Sequence, residues 1–207
     1  MVLRAAVPAG PAGEGAAGAP RPGRGRVSPG AARVPGMSDL TFPPALEDLA
    51  GFGGSDEPEF EMFDEFESPE ETADWLDMWT GNDGVDGREF RCFGKDFGGG
   101  YLALWPVREG RPPEEQPVVY LGSEGDVAVL GRDVGSFLWL LAQGVDPHSC
   151  PGKAESGDPV EPRETHPELA EIAERHAPGA RRAPKEILAR AREEFPHFQA
   201  VIDAMCR

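Results

Sequence analysis

The residues of this chain that could carry chemistry are few and scattered: His148, His166, His176 and His197, Cys92, Cys150 and Cys206, and a set of loop carboxylates. A zinc site needs ligands at short, regular spacing, because one small ion must be reached by several side chains at once. No CxxC, HxH or HExxH pair occurs, and Cys150 with two histidines is the nearest approach. Surface or capping roles are the expectation for the histidines. A nucleophilic triad needs a Ser or Cys beside a base and an oxyanion loop. There is no G-x-S-x-G, and Gly122-Ser123-Glu124-Gly125 reads as a turn. Cys92 falls in a strand-like run, where a buried thiol is inert.

Gly94 to Gly100 is glycine-dense, but Lys95 comes too early for a phosphate loop and a strand-like run follows. These glycines read as a wide turn or bulge. Asp83, Asp86, Asp96, Glu124 and Asp126 could hold a calcium ion or form a catalytic pair. Asn82 to Gly87 has only the opening part of a calcium loop and lacks its closing bidentate Glu. A solvated acidic surface is the simpler expectation. The reading is therefore no catalytic residue, no metal and no cofactor.

Charge is the stronger signal. The 207 residues carry 20 Lys or Arg and 37 Asp or Glu, net −17. Residues 1–36 are net +4, residues 37–150 hold 6 basic against 25 acidic residues, net −19, and residues 151–207 are net −2. Between positions 34 and 87 stand 16 Asp or Glu and no Lys, Arg or His. Such a surface repels phosphate backbones, which excludes general nucleic-acid binding. It also steers cationic partners, raising association rates by about 10–10³-fold at low salt. The block Asp56, Glu57, Glu59, Glu61, Asp64, Glu65 and Glu67 is the candidate partner-binding face, with Trp75, Trp79 and Trp105 as candidate anchors. Solubility is the ordinary alternative for the acids, and core packing for the tryptophans. No apolar run approaches the roughly 20 residues of a membrane span. Three sparse cysteines exclude a disulfide scaffold and fit a reducing cytoplasm.

The elements that must position these residues follow from pattern. Residues 1–36, rich in Ala, Gly and Pro, cannot bury enough apolar surface to fold and read as a disordered leader. Met37 opens the folded-looking part, so the leader is expected to be a start-site extension. Phe42 to Gly51 reads as a short helix, and Phe60 to Phe66 as a mixed, strand-like run. Ser68-Pro69-Glu70-Glu71 is a capping box that opens a helix ending near Gly81. Strand signals follow at Glu89 to Phe93, Tyr101 to Val107, Val118 to Leu121 and Val127 to Leu130, joined by short turns. Asp133 caps a helix from Val134 to Gln143. Residues 147–165 read as a linker and residues 166–207 as a helical tail broken at Pro196. Short turns favour an antiparallel sheet, so the expected class is α+β, a central antiparallel β-sheet with helices packed on one face of residues 37–146 and a C-terminal helical tail.

Three stretches resemble one family. Gly94-Lys95-Asp96-Phe97-Gly98-Gly99-Gly100-Tyr101-Leu102-Ala103-Leu104-Trp105, Pro117-Val118-Val119-Tyr120-Leu121-Gly122-Ser123-Glu124-Gly125 and Phe137-Leu138-Trp139-Leu140-Leu141-Ala142-Gln143-Gly144 are similar, in order and spacing, to motifs of the SUKH superfamily, the Smi-Knr type of domain. The resemblance spans residues 40–146. It implies an α+β domain and, for many bacterial members, an immunity protein that binds and neutralises a toxin. It implies no catalysis. The leading expectation is thus a cytoplasmic protein-binding module whose acidic surface captures a toxin, for instance a basic nuclease. The alternative is an intracellular regulatory scaffold domain with a host partner. A small enzyme using loop carboxylates is a third reading, with no discernible motif behind it.

Overall fold

The computed structural model describes residues 41–52, 60–162 and 165–207. The expected leader at residues 1–36, and Asp56, Glu57 and Glu59, lie outside the described residues. In chain order the elements are α1 (Pro44–Ala50), β1 (Phe60–Met62), α2 (Pro69–Thr80), β2 (Arg91–Asp96), β3 (Tyr101–Leu104), β4 (Val118–Leu121), β5 (Val127–Gly131), α3 (Val134–Ala142), α4 (Lys153–Ser156), α5 (Pro167–His176), α6 (Pro184–Glu194) and α7 (Phe198–Met205). The strands pair in sequence order, β1-β2-β3-β4-β5, every pair antiparallel. The class is therefore α+β with a central antiparallel sheet.

Helices cover both faces of that sheet, not one. On the first face Phe93, Leu102, Leu104, Val118, Tyr120 and Leu130 meet α1, α3 and α5. On the second face Cys92, Ala103, Val119, Leu121, Val127 and Val129 meet Leu76 of α2 and Phe198 and Ile202 of α7. Two-sided burial explains why β4 and β5 are apolar at nearly every position instead of alternating. Each Leu or Phe buried this way contributes about 1.5–3 kcal/mol. The tail supplies much of the cover. Helix α5 packs on α3, where Trp139 Nε1 donates to the Ala177 carbonyl at 2.7 Å. Helix α6 lies along the outer strand β5 and gives Ile187 and Leu188 to one core and Ala191 to the other.

The stretch expected as a linker is also part of the packing. A 3₁₀ turn at Pro147–Ser149 and helix α4 occupy it, and Cys150 and Val160 are buried in the first core. Its glycines serve as fixed turns: Gly152 and Gly157 hold positive φ of 68° and 75°. The turn between β2 and β3 is shorter than expected. Gly94, Lys95 and Asp96 belong to β2, with a register shift between Cys92 and Gly94. A Cβ at Gly94 would lie 2.8 Å from the Glu61 carbonyl, so the glycine lets β1 approach and pair.

Candidate protein-binding face

Helix α2 carries the core of the face, and its N-terminus is built as the capping box requires. Ser68 Oγ accepts from Glu71 N at 3.2 Å, and Glu71 Oε2 accepts from Ser68 N at 3.2 Å and from Ser68 Oγ at 2.7 Å. Those bonds hold the Glu71 carboxyl below its ordinary pKa. Gly81 closes the helix at φ 66°. Leu76 points into the second core, whereas Trp75 and Trp79 lie half-buried beside it.

These tryptophans form a stack with the sheet. Trp75 and Trp79 are nearly parallel, centroids 5.0 Å apart, and Trp75 meets Tyr101 at 4.5 Å. Trp79 Nε1 donates to the Gly122 carbonyl at 2.8 Å, which ties α2 to the β4–β5 turn. Tyr101 in turn meets Phe63 edge-on at 6.4 Å, and Lys95 Nζ sits 5.9 Å above the Phe63 ring.

The acids gather beside this stack, around Phe63 and Phe66. Glu61, Asp64, Glu65, Glu67, Glu71 and Lys95 help line an open groove of about 640 Å³. Glu61 pairs with Lys95 at 3.8 Å, both side chains well exposed. Asp64 and Glu65 are exposed. Glu67 has a different job. It accepts from Thr72 Oγ1 at 3.0 Å and from the Tyr101 hydroxyl at 3.1 Å, so it braces α2 against β3. Burial, and then the Glu67 charge, push the Tyr101 hydroxyl pKa upward.

Trp105 does not join this group. It lies just past the far end of β3, about 13 Å along the strand from Tyr101 at 3.3 Å per residue. There it packs against Phe195 at 5.7 Å and Phe198 at 4.8 Å. Its role is to hold the tail.

Of the loop carboxylates singled out for metal or acid–base chemistry, Asp83, Asp86 and Asp96 are engaged in structure, and Glu124 and Asp126 are exposed on the β4–β5 turn. Asp83 pairs with Arg207 and Asp86 with Arg88. Asn82 Nδ2 donates to the Met205 carbonyl at 2.8 Å, so the calcium-like loop anchors the C-terminus. Asp96 Oδ1 accepts from Gly100 N at 2.8 Å, and Asp96 Oδ2 accepts from the Tyr120 hydroxyl at 2.5 Å. His148 Nδ1 lies 3.0 Å from the same hydroxyl. Burial and the neighbouring Asp96 raise the Tyr120 pKa strongly. This cluster pins the β2–β3 turn to β4. A Cβ at Gly100 would meet the Tyr120 hydroxyl at 2.7 Å, and one at Gly122 would run into the Asp126 carboxylate. Among the described residues no three His, Cys, Asp or Glu side chains converge as metal ligands. Burial pushes the Cys92 thiol far up and the Cys150 thiol up to about 12, so neither supplies a thiolate nucleophile at neutral pH.

Sequence reasoning missed the Asp96–Tyr120–His148 cluster and an ionic hub at the opposite end of the sheet. In that hub Arg108 and Arg132 both bind Glu194 of α6, the latter at 2.8 Å, and Arg108 also donates to the Arg132 carbonyl at 2.8 Å. No helix among the described residues is long and apolar enough to cross a membrane. No family model, curated protein or solved structure matches the chain.

Proposed function

We propose that this chain is a non-catalytic protein-binding module that works in the cytoplasm as a SUKH-type immunity protein, neutralising a toxin with a cationic surface such as a nuclease cleft. The observation that carries the reading is the combination of a net acidic surface with half-open aromatic rings along β1, residues 63–68 and α2. Among the described residues, Lys95 is the only cation lining the groove there. Helix α2 carries Glu70, Glu71, Asp74 and Asp77 and no cation at all. Aromatic rings rimmed by charge of one sign fit a partner that brings both apolar anchors and positive charge. The motif residues support the same reading from the other side. Asp96, Gly100 and Gly122 serve turn geometry, which leaves the surface acids as the groups free to meet a partner.

The test is to purify the full chain with the protein encoded beside it and to measure affinity across a salt series. Affinity should fall steeply with salt, because exposed charges are screened beyond about 8–10 Å at physiological ionic strength. Salt-insensitive binding, or no binding, contradicts the proposal.

A further inference from the structure

Among the described residues Met78 and Phe97 are the most exposed large apolar side chains, at 78% and 80%. Both stand at one end of the sheet. Met78 is on the outer side of α2, next to Trp79, whose indole reaches the β4–β5 turn at Gly122. Phe97 tips the β2–β3 turn, which abuts the same β4–β5 turn. A Cβ at Gly99 would sit 3.9 Å from Ser123 Cβ. A single exposed apolar side chain needs no explanation, but here two stand at the same sheet end, each beside a residue that reaches the β4–β5 turn, Trp79 for Met78 and Gly99 for Phe97.

The rim of that patch is acidic in a way helix stability does not account for. Glu70, Asp74 and Asp77 stand at i, i+4 and i+7 along α2, so like charges face each other. Like charges at these spacings destabilise a helix. Asp77 also sits in the last turn, at the negative end of the helix dipole, and no cation offsets it there. Exposed Glu124 and Asp126 continue the rim across the β4–β5 turn. Local rules broken together at one exposed place mark a surface kept for contact.

We propose that this end of the sheet takes up a cationic amphipathic segment of a protein partner. Its apolar side chains seat on Met78 and Phe97, and its Lys or Arg side chains meet Asp74, Asp77, Glu124 and Asp126. The inference rests on the reading of the chain as a binder of a basic partner and narrows it to one end of the molecule. Charge complementarity selects the partner's sign, and the two exposed apolar side chains select its amphipathic character.

The experiment titrates the full chain, by calorimetry and amide NMR, with two synthetic Lys-rich peptides of equal charge. One carries leucines along one helical face and the other carries serines there. The leucine peptide should bind about tenfold tighter or more, and Met78→Ser with Phe97→Ser should abolish that preference while leaving the amide spectrum of the fold intact. Asp74→Asn with Asp77→Asn should weaken both peptides. Equal binding of both peptides overturns the patch and leaves capture of a basic partner standing. Retained preference in the Met78/Phe97 variant, with loss in Glu61→Gln plus Glu65→Gln, moves the site to the groove and also overturns it. Failure of both peptides to bind overturns the patch together with the reading beneath it. A dimer of the chain alone that dissociates on Met78→Ser assigns the patch to a second copy and overturns the proposal.

Discussion

The two ends of β3 each present an aromatic ring on the same face of the sheet, yet they are used in opposite ways. At the Trp105 end the ring is half-buried, and Phe195 after α6 and Phe198 of α7 pack on it. The charges there are matched: Arg108 and Arg132 share Glu194, and the Arg108 guanidinium lies 5.3 Å from the Phe195 ring centre. At the Tyr101 end, Trp75 and Trp79 stack on the sheet but stay half-open, and the acids of α2 have no cations on their own helix. Neither residue type nor burial separates these tryptophans, since all three are half-buried. The surrounding charge does: paired charge suits a surface packed under the chain's own helices, whereas the proposed docking surface leaves its complement to a partner.

The contrast can be broken most strongly at the Trp105 end. Phe198→Ala removes a buried ring that packs on Trp105 and Phe90, and it should cost about 3–5 kcal/mol in denaturant unfolding. Partner affinity of the folded variant should not change. Glu194→Gln leaves Arg108 and Arg132 without their shared carboxylate. These side chains are partly exposed, so the loss should be about 1 kcal/mol or less and should shrink as salt rises.

A pH experiment sharpens the same distinction. Hydrogen bonds from His176, and then from Arg175, hold Asp48 below its ordinary pKa of 3.8 and tie α1 to α5. A depressed folded pKa contributes stability that is present above 3.8 and is lost as pH falls through the folded value. Asp48→Asn should therefore destabilise by about 1 kcal/mol or less at neutral pH, since these side chains are partly exposed. The difference from the wild type should vanish in acid. The smallest stability effect belongs to the open end. Asp74→Asn with Asp77→Asn should leave unfolding unchanged or raise stability by a few tenths of a kcal/mol, roughly the relief of like-charge and dipole repulsion. A measurable loss would mean that those acids hold the fold.

Much of the fold was readable where local chemistry decides it. Ser68 and Glu71 announce the start of α2, Gly81 its end, and Asp133 the start of α3, each through a bond made within a few residues. The order of strands follows from short turns. The two-sided burial of the sheet was not readable, because α6 and α7 come to it from the far end of the chain and their stripes name no target. The same holds for Trp105, whose partners Phe195 and Phe198 lie in the tail. Of the candidate acids, Glu61, Asp64 and Glu65 reach the surface, while Glu67 is spent on Thr72 and Tyr101. Nothing in a run of seven acids marks which one will find an internal donor. Met78 and Phe97 carried no signal in one dimension, since an exposed and a buried apolar residue read alike.

The most direct test of the account is hydrogen exchange on the full chain, alone and in complex with the protein encoded beside it. Added protection is expected over α2 and the β2–β3 and β4–β5 turns, with α6 and α7 unchanged. Protection confined to α6 and α7, with α2 exchanging as in the free chain, would contradict it.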